Sequence, residues 1–206
     1  MSTVLKDPAH GRRLVYGVGI NDLTGNRKSK IYNAWANMIE RCYSSRFHER
    51  YPTYVGCSVC EEWLLFSTFK NWMISQDWEG KCLDKDILIP GNKVYSPETC
   101  AFVSQELNLF MTERNAQRGM YPIGVSAYRQ NKKFVSSCKE NGKTVHLGYF
   151  DTPEDAHKAW EAKKLELAYK HAAIQTDGRV AAAVVDRYKS LAIDAAMRAQ
   201  AGEGGE

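Results

Sequence analysis

The sequence predicts an α+β chain of two units, and three observations carry that prediction. Between residues 31 and 73 two stretches repeat their apolar residues at helical spacing. Asn141-Gly142 separates two runs of alternating side chains, the signal of a tight β-hairpin. Thr152-Pro153-Glu154-Asp155 follows directly and reads as the start of a helix, with a cap, a proline at the first helical position and acids in the first turn.

Taken in order, residues 1–30 form a turn-rich N-terminal extension with a short apolar run at Leu14–Ile20. Residues 31–117 form the first unit. It opens with Ile31, Trp35, Met38, Ile39 and Cys42 on one helical face, and a second helix carries Leu65, Phe66, Phe69, Trp72 and Met73. From Gly80 to Cys100 the periodicity gives way to a loop with two short extended pieces, and a short helix begins near Ser104. Residues 118–178 form the second unit. Residues 179–206 hold an alanine-rich helix, about Arg179–Ala199, and the tail GEGGE, which reads as disordered. Val184, Val185, Tyr188, Leu191 and Ala195 run along that helix, which would dock on the body or pair with a homodimer or protein partner.

The hairpin fixes a register. A type I′ turn at Asn141-Gly142 sets Glu140 against Lys143, Lys139 against Thr144, Cys138 against Val145, Ser137 against His146 and Ser136 against Leu147. Side chains alternate across a strand. One face therefore shows Phe134, Ser136, Cys138, Val145, Leu147 and Tyr149, and needs a cover. The other shows Lys133, Ser137, Lys139, Thr144 and His146. The helix after Thr152 supplies the cover, with Ala156 and Ala159 permitting close approach and Trp160 and Leu167 filling space.

Net charge is +4, too small to mean much alone. Its distribution says more: between Pro122 and Phe150 there are five Lys or Arg and one acid, Glu140. Such a surface suits phosphate neutralisation. No apolar run is long enough for a membrane span and the N-terminus lacks a secretory apolar stretch, so a cytoplasmic protein is expected. Six cysteines in that setting are expected to be reduced. Cys57-x-x-Cys60 has zinc-ligand spacing, with Cys42, Cys82 and Cys100 as further thiols, but a structural zinc needs four ligands and one pair is a weak signal.

Pro122–Trp160 resembles the AP2/ERF DNA-binding domain through Ile123-Gly124-Val125, Lys133-Phe134-Val135 and Leu147-Gly148-Tyr149-Phe150-Asp151-Thr152, followed by Glu154, Ala156 and Ala159. The resemblance implies a three-stranded antiparallel sheet packed on one helix, with the outward face in the major groove of double-stranded DNA. It assigns Ser126, Tyr128, Arg129, Lys133, Ser137, Lys139, Thr144 and His146 to that face. The family usually carries arginine or tryptophan at several of these positions. Ser126, Thr144 and His146 therefore imply weaker or different base reading, because arginine to guanine is the commonest specific contact.

Leu83–Asn108 resembles a divergent HNH endonuclease motif, with Arg41-Cys42-Tyr43 and Val59-Cys60-Glu61-Glu62-Trp63 fitting the phage-type group upstream. A fused HNH and AP2 pair is similar to the homing-type endonucleases of tailed bacteriophages. The resemblance implies a ββα unit in which Asp84 and Asn108 bind Mg²⁺ or Mn²⁺ and Asn92 holds the loop. The motif's histidine base is replaced by Lys85, and none of the five histidines lies in the motif. Losing a general base typically costs about a hundred- to ten-thousandfold in rate. Lys85 is then expected to contact phosphate, with Asp86 as an alternative ligand or base. The resemblance thus supports two functions: metal-dependent DNA cleavage, or a catalytically inactive HNH-derived regulator that binds DNA or inhibits a protein partner.

Overall fold

The structure is a computed structural model that describes residues 11, 13–112, 120–128 and 132–202, with side chains described as far as residue 190. Arg129 and the GEGGE tail's last four residues lie outside the described residues, as do the side chains of Leu191 and Ala195. The described residues make an α+β chain with six α-helices and three small sheets. Packing divides the chain into two compact units, 1–108 and 109–206.

In the first unit, α1 (Lys30–Tyr43) is capped by Ser29, whose Oγ accepts from the Tyr32 amide, and buries Trp35, Met38, Ile39 and Cys42. These are the residues whose spacing predicted the helix. After α2 (Ser45–Arg50) and the two-residue β1 (Ser58–Val59), α3 (Phe66–Ile74) adds Phe66, Phe69 and Met73 to the same core. Trp35 anchors the core: it is fully buried, and its indole donates to the Trp63 carbonyl at 2.7 Å. A buried indole needs such an acceptor, so ring packing and hydrogen bonding select one rotamer together. The N-terminal apolar run folds back on itself through the bridge Val15–Gly19 and joins this core through the bridge Ile20–Leu65.

The remaining strands are short. β1 pairs in parallel with β3 (Val94–Tyr95), and β2 (Cys82–Asp84) pairs antiparallel with β4 (Ala101–Val103). β4 leads into α4 (Gln105–Met111), where Ser104 Oγ accepts from the Leu107 amide as an N-cap. Over residues 82–111 the order is thus β2, β3, β4, α4, with β2 paired to β4 and β3 paired to β1, and the boundary between units lies inside α4.

The second unit is a sheet in the order β5 (Val125–Tyr128), β6 (Lys133–Glu140), β7 (Lys143–Phe150), covered by α5 (Pro153–Ala173). Asn141 and Gly142 take φ of 51° and 74°, as a type I′ turn demands. The register follows the sequence reading from Glu140–Lys143 to Ser137–His146. Beyond that it departs: Ser136 pairs with Gly148, and Leu147 is an extra residue in a β-bulge. The shift by one reverses the facing of everything after it. Tyr149, expected among the covered residues, pairs with Val135 and lies 53% exposed on the outward face.

Thr152 caps α5, with Oγ1 accepting from the Asp155 amide at 3.1 Å. Ala156, Trp160, Leu167 and Ala168 are buried, and Cys138 packs in the same cluster. The Trp160 ring packs closely against Gly124, and His157 stacks on it at a centroid separation of 5.5 Å. Lys164 is also buried. Its ammonium sits 3.5 Å from the Phe110 ring centre and 4.8 Å from that of Tyr188, and donates to the Phe110 carbonyl at 3.1 Å. Desolvating the cation is offset by two aromatic faces and a carbonyl. The last helix, α6 (Gly178–Gly202), buries Val180, Val184, Val185 and Tyr188 within this unit and packs along α5. The apolar face that the sequence left open to an associating partner is, over residues 180–188, covered by the chain itself. No described helix is long and apolar enough to cross a membrane.

Candidate nucleic-acid interface and nuclease-like loop

The outward face of the sheet is set by register. Ser126 pairs with Val135 and Tyr128 with Lys133, and Ser137 and Lys139 pair with His146 and Thr144. Seven of the eight residues assigned to a DNA-facing surface therefore share one face, and the eighth, Arg129, lies outside the described residues. Tyr149 joins them through the bulge. Its ring sits 5.0 Å from Tyr128 and 4.7 Å from His146, making an aromatic group in the middle of a hydroxyl- and amine-bearing surface. The sequence carried one sign of this: an isolated glycine within a strand pattern, Gly148, often marks a bulge.

Charge on this face is also sorted by register. Glu140, the one acid of the segment, belongs to the helix-facing side. Its carboxylate meets Lys163 and Lys170 of α5, each at 3.0 Å, and those two ammonium groups hold it below the usual glutamate range. The outward face keeps Lys139, which is exposed, and Lys133, which reaches Asp151 at 3.0 Å. That exposed pair is weak and water-screened, so Lys133 can exchange Asp151 for a phosphate at little expense.

In the first unit the loop after β2 gathers Asp84, Lys85 and Asn92. Asp84 Oδ1 accepts from the amides of Asp86 and Ile87, both at 2.7 Å. Burial raises its pKa above the usual aspartate value, against those two amides, which lower it. Asn92 ties the loop shut: Nδ2 donates to the carbonyls of Lys85 and Val94, and Oδ1 accepts from the Val94 amide. Asn108 stands on α4, after the strand that pairs with β2.

Lys85 departs from the expectation of a phosphate-contacting side chain. Only 7% of it is exposed. Its ammonium donates to both Asp86 oxygens and to the Asn92 carbonyl, all at 2.7 Å. An ammonium has three donors, and these contacts use them. Asp86 is correspondingly engaged as the lysine's counter-ion.

The thiols form no disulfide: Cys42, Cys57, Cys100 and Cys138 are buried, Cys60 half-buried and Cys82 exposed. Burial pushes the Cys42 and Cys100 thiols up to about 12. Cys57 and Cys60 belong to the Trp35 core region, and among the described residues no group of three or more His, Cys, Asp or Glu is placed to hold a metal ion. The donor set at Asp84 is likewise sparse, with one carboxylate oxygen committed to amides and Asp86 committed to Lys85.

No protein-family model matches this chain, and no curated protein or solved structure matches it significantly.

Proposed function

We propose that this protein binds double-stranded DNA through the outward face of its three-stranded sheet, in the manner of the AP2/ERF domains its second unit resembles. The observation that supports this is the sorting of side chains by register: hydroxyls, lysines and aromatic rings face out, while the segment's lone acid is turned to α5 and neutralised there. Lysines neutralise phosphates and release counterions, and the hydroxyls, imidazole and tyrosines reach backbone and base edges. Lys139→Ala is expected to weaken binding and to reduce the slope of log K against log salt by about one. Lys133→Ala has the smaller effect, because Asp151 already competes for it. Fluorescence anisotropy with labelled duplex across a salt series measures both. Identical slopes in wild type and both variants would remove this face from the interface.

Metal-dependent cleavage at Asp84, in the manner of HNH endonucleases, is the second reading, supported by the antiparallel β2–β4 pair that carries Asp84 and leads into α4 with Asn108. Mg²⁺ or Mn²⁺ held by Asp84 and Asn108 would supply Lewis-acid stabilisation of the leaving oxygen. The burial of Lys85 favours the alternative, a binder without cleavage. Nicking of supercoiled plasmid with Mn²⁺, beside Asp84→Ala and a chelator, decides between them. Nicking that disappears in Asp84→Ala supports a nuclease; duplex binding without nicking supports the binder. A metal competes with the proton that burial helps Asp84 retain. Mn²⁺ affinity is therefore expected to rise with pH as Asp84 gives up its proton, over a range displaced above that of an ordinary aspartate, and Asp84→Ala to abolish that dependence.

A further inference from the structure

The first unit carries a groove of about 370 Å³ beside β2, lined by residues of α1, the segment after α3, and the strands β2 and β4. None of its lining residues is acidic, while Lys30, Arg41 and Lys81 are cationic. Asn33 and Asn37 stand one helical turn apart on the exposed side of α1, opposite the buried Trp35 face, and both open into the groove. Trp78 gives it a half-buried aromatic wall. Lys81 is shared with Asp77, at 2.6 Å, and Arg41 lies over the Tyr54 ring and hydrogen-bonds with Tyr95, so the cation most available at the rim is Lys30, which is exposed.

Each component matches part of one ligand. Cations without nearby lining acids suit a phosphate. Carboxamides present a donor and an acceptor side by side, the pattern that pairs with a base edge. An indole offers a stacking surface that any base can use. The volume lies at the lower end of ordinary small-molecule pockets, about 300–1,000 Å³, which suits one nucleotide. We infer that this groove binds a single nucleotide of a DNA strand, its phosphate at Lys30, its base against Trp78 and the Asn33 and Asn37 carboxamides. The inference rests on the DNA-binding reading and adds a second contact in the other unit, one that takes an unpaired nucleotide instead of duplex.

The test is titration of the full chain with a 5′-phosphorylated tetradeoxynucleotide, followed by NMR, with a duplex titration alongside. The Asn33 and Asn37 side-chain amides and the Trp78 indole N–H are expected to shift. Lys30→Glu should weaken the tetranucleotide by about tenfold or more, the loss of one charge-assisted contact, while Lys139→Ala changes it by less than about twofold. Both positions are exposed, so equal melting temperatures confirm intact folds. Shifts confined to the sheet, or an unchanged affinity in Lys30→Glu, overturn the groove. If the duplex still shifts the sheet signals in that case, the sheet reading stands; a duplex that shifts nothing overturns both.

Discussion

Gly124→Ala is expected to destabilise the second unit by roughly 3 kcal/mol or more, combining the usual costs of overpacking and of a side chain at positive φ. Two independent penalties meet at this residue. Its φ is +82°, a conformation that L side chains rarely adopt. A Cβ there would lie 2.0 Å from Trp160 Cδ1 and 2.3 Å from Cγ, inside any tolerable contact. Trp160 cannot retreat easily, because His157 stacks on it and is itself tied by Nδ1 to the Ile123 carbonyl at 2.9 Å. The Gly124 carbonyl in turn accepts from the Ser137 amide at 2.9 Å, so a shifted turn would pull on β6. Urea unfolding reports the loss. The cycle with Trp160→Leu separates the causes: removing the indole should restore the steric part but not the backbone part. Strict additivity of the two variants would show that the ring contact does not set the price of a side chain here.

The same residue shows how far the sequence could be read. Gly124 was visible as part of a motif, but its reason lies in Trp160, brought over it by tertiary packing. The hairpin was legible because a two-residue turn dictates its own register. The bulge at Leu147 was not, since a strand with one extra residue keeps its composition while reversing its facing, and that is how Tyr149 reached the outward surface. Helices α1 and α3 were legible because their apolar residues recur at 3.6-residue spacing. By contrast α5 buries Glu161 and Lys164 alongside its apolar residues. A long amphipathic side chain can lie in water or under a ring, and only partners distant in sequence decide. For Lys164 those partners are Phe110 and Tyr188. The candidate loop shows the same limit: Lys85 beside Asp84 reads as a cation aimed at substrate, until the Asn92 carbonyl and Asp86 are folded against it.

Lys85→Met is therefore expected to act first on stability, lowering it by about 1–3 kcal/mol, the usual cost of deleting a charge-assisted hydrogen-bonding group. Methionine keeps most of the aliphatic stem and removes the ammonium. The Asn92 carbonyl then loses its donor, whereas Asp86, half exposed, recovers water. The loss stays below that of a fully buried ion pair for that reason. The loop holding Asp84 should loosen, because the Lys85 ammonium and the Asn92 amide clamp it from both sides. Lys85→His tests the catalytic alternative directly. A histidine at a buried position whose side chain points toward Asp86 and the Tyr54 ring would not meet a water at Asp84, so plasmid nicking should not rise above wild type. A Lys85→Met variant that unfolds at the wild-type urea concentration yet loses DNA affinity or nicking would reverse the assignment, making the lysine a contact to DNA and the internal hydrogen bonds a resting position it leaves on binding.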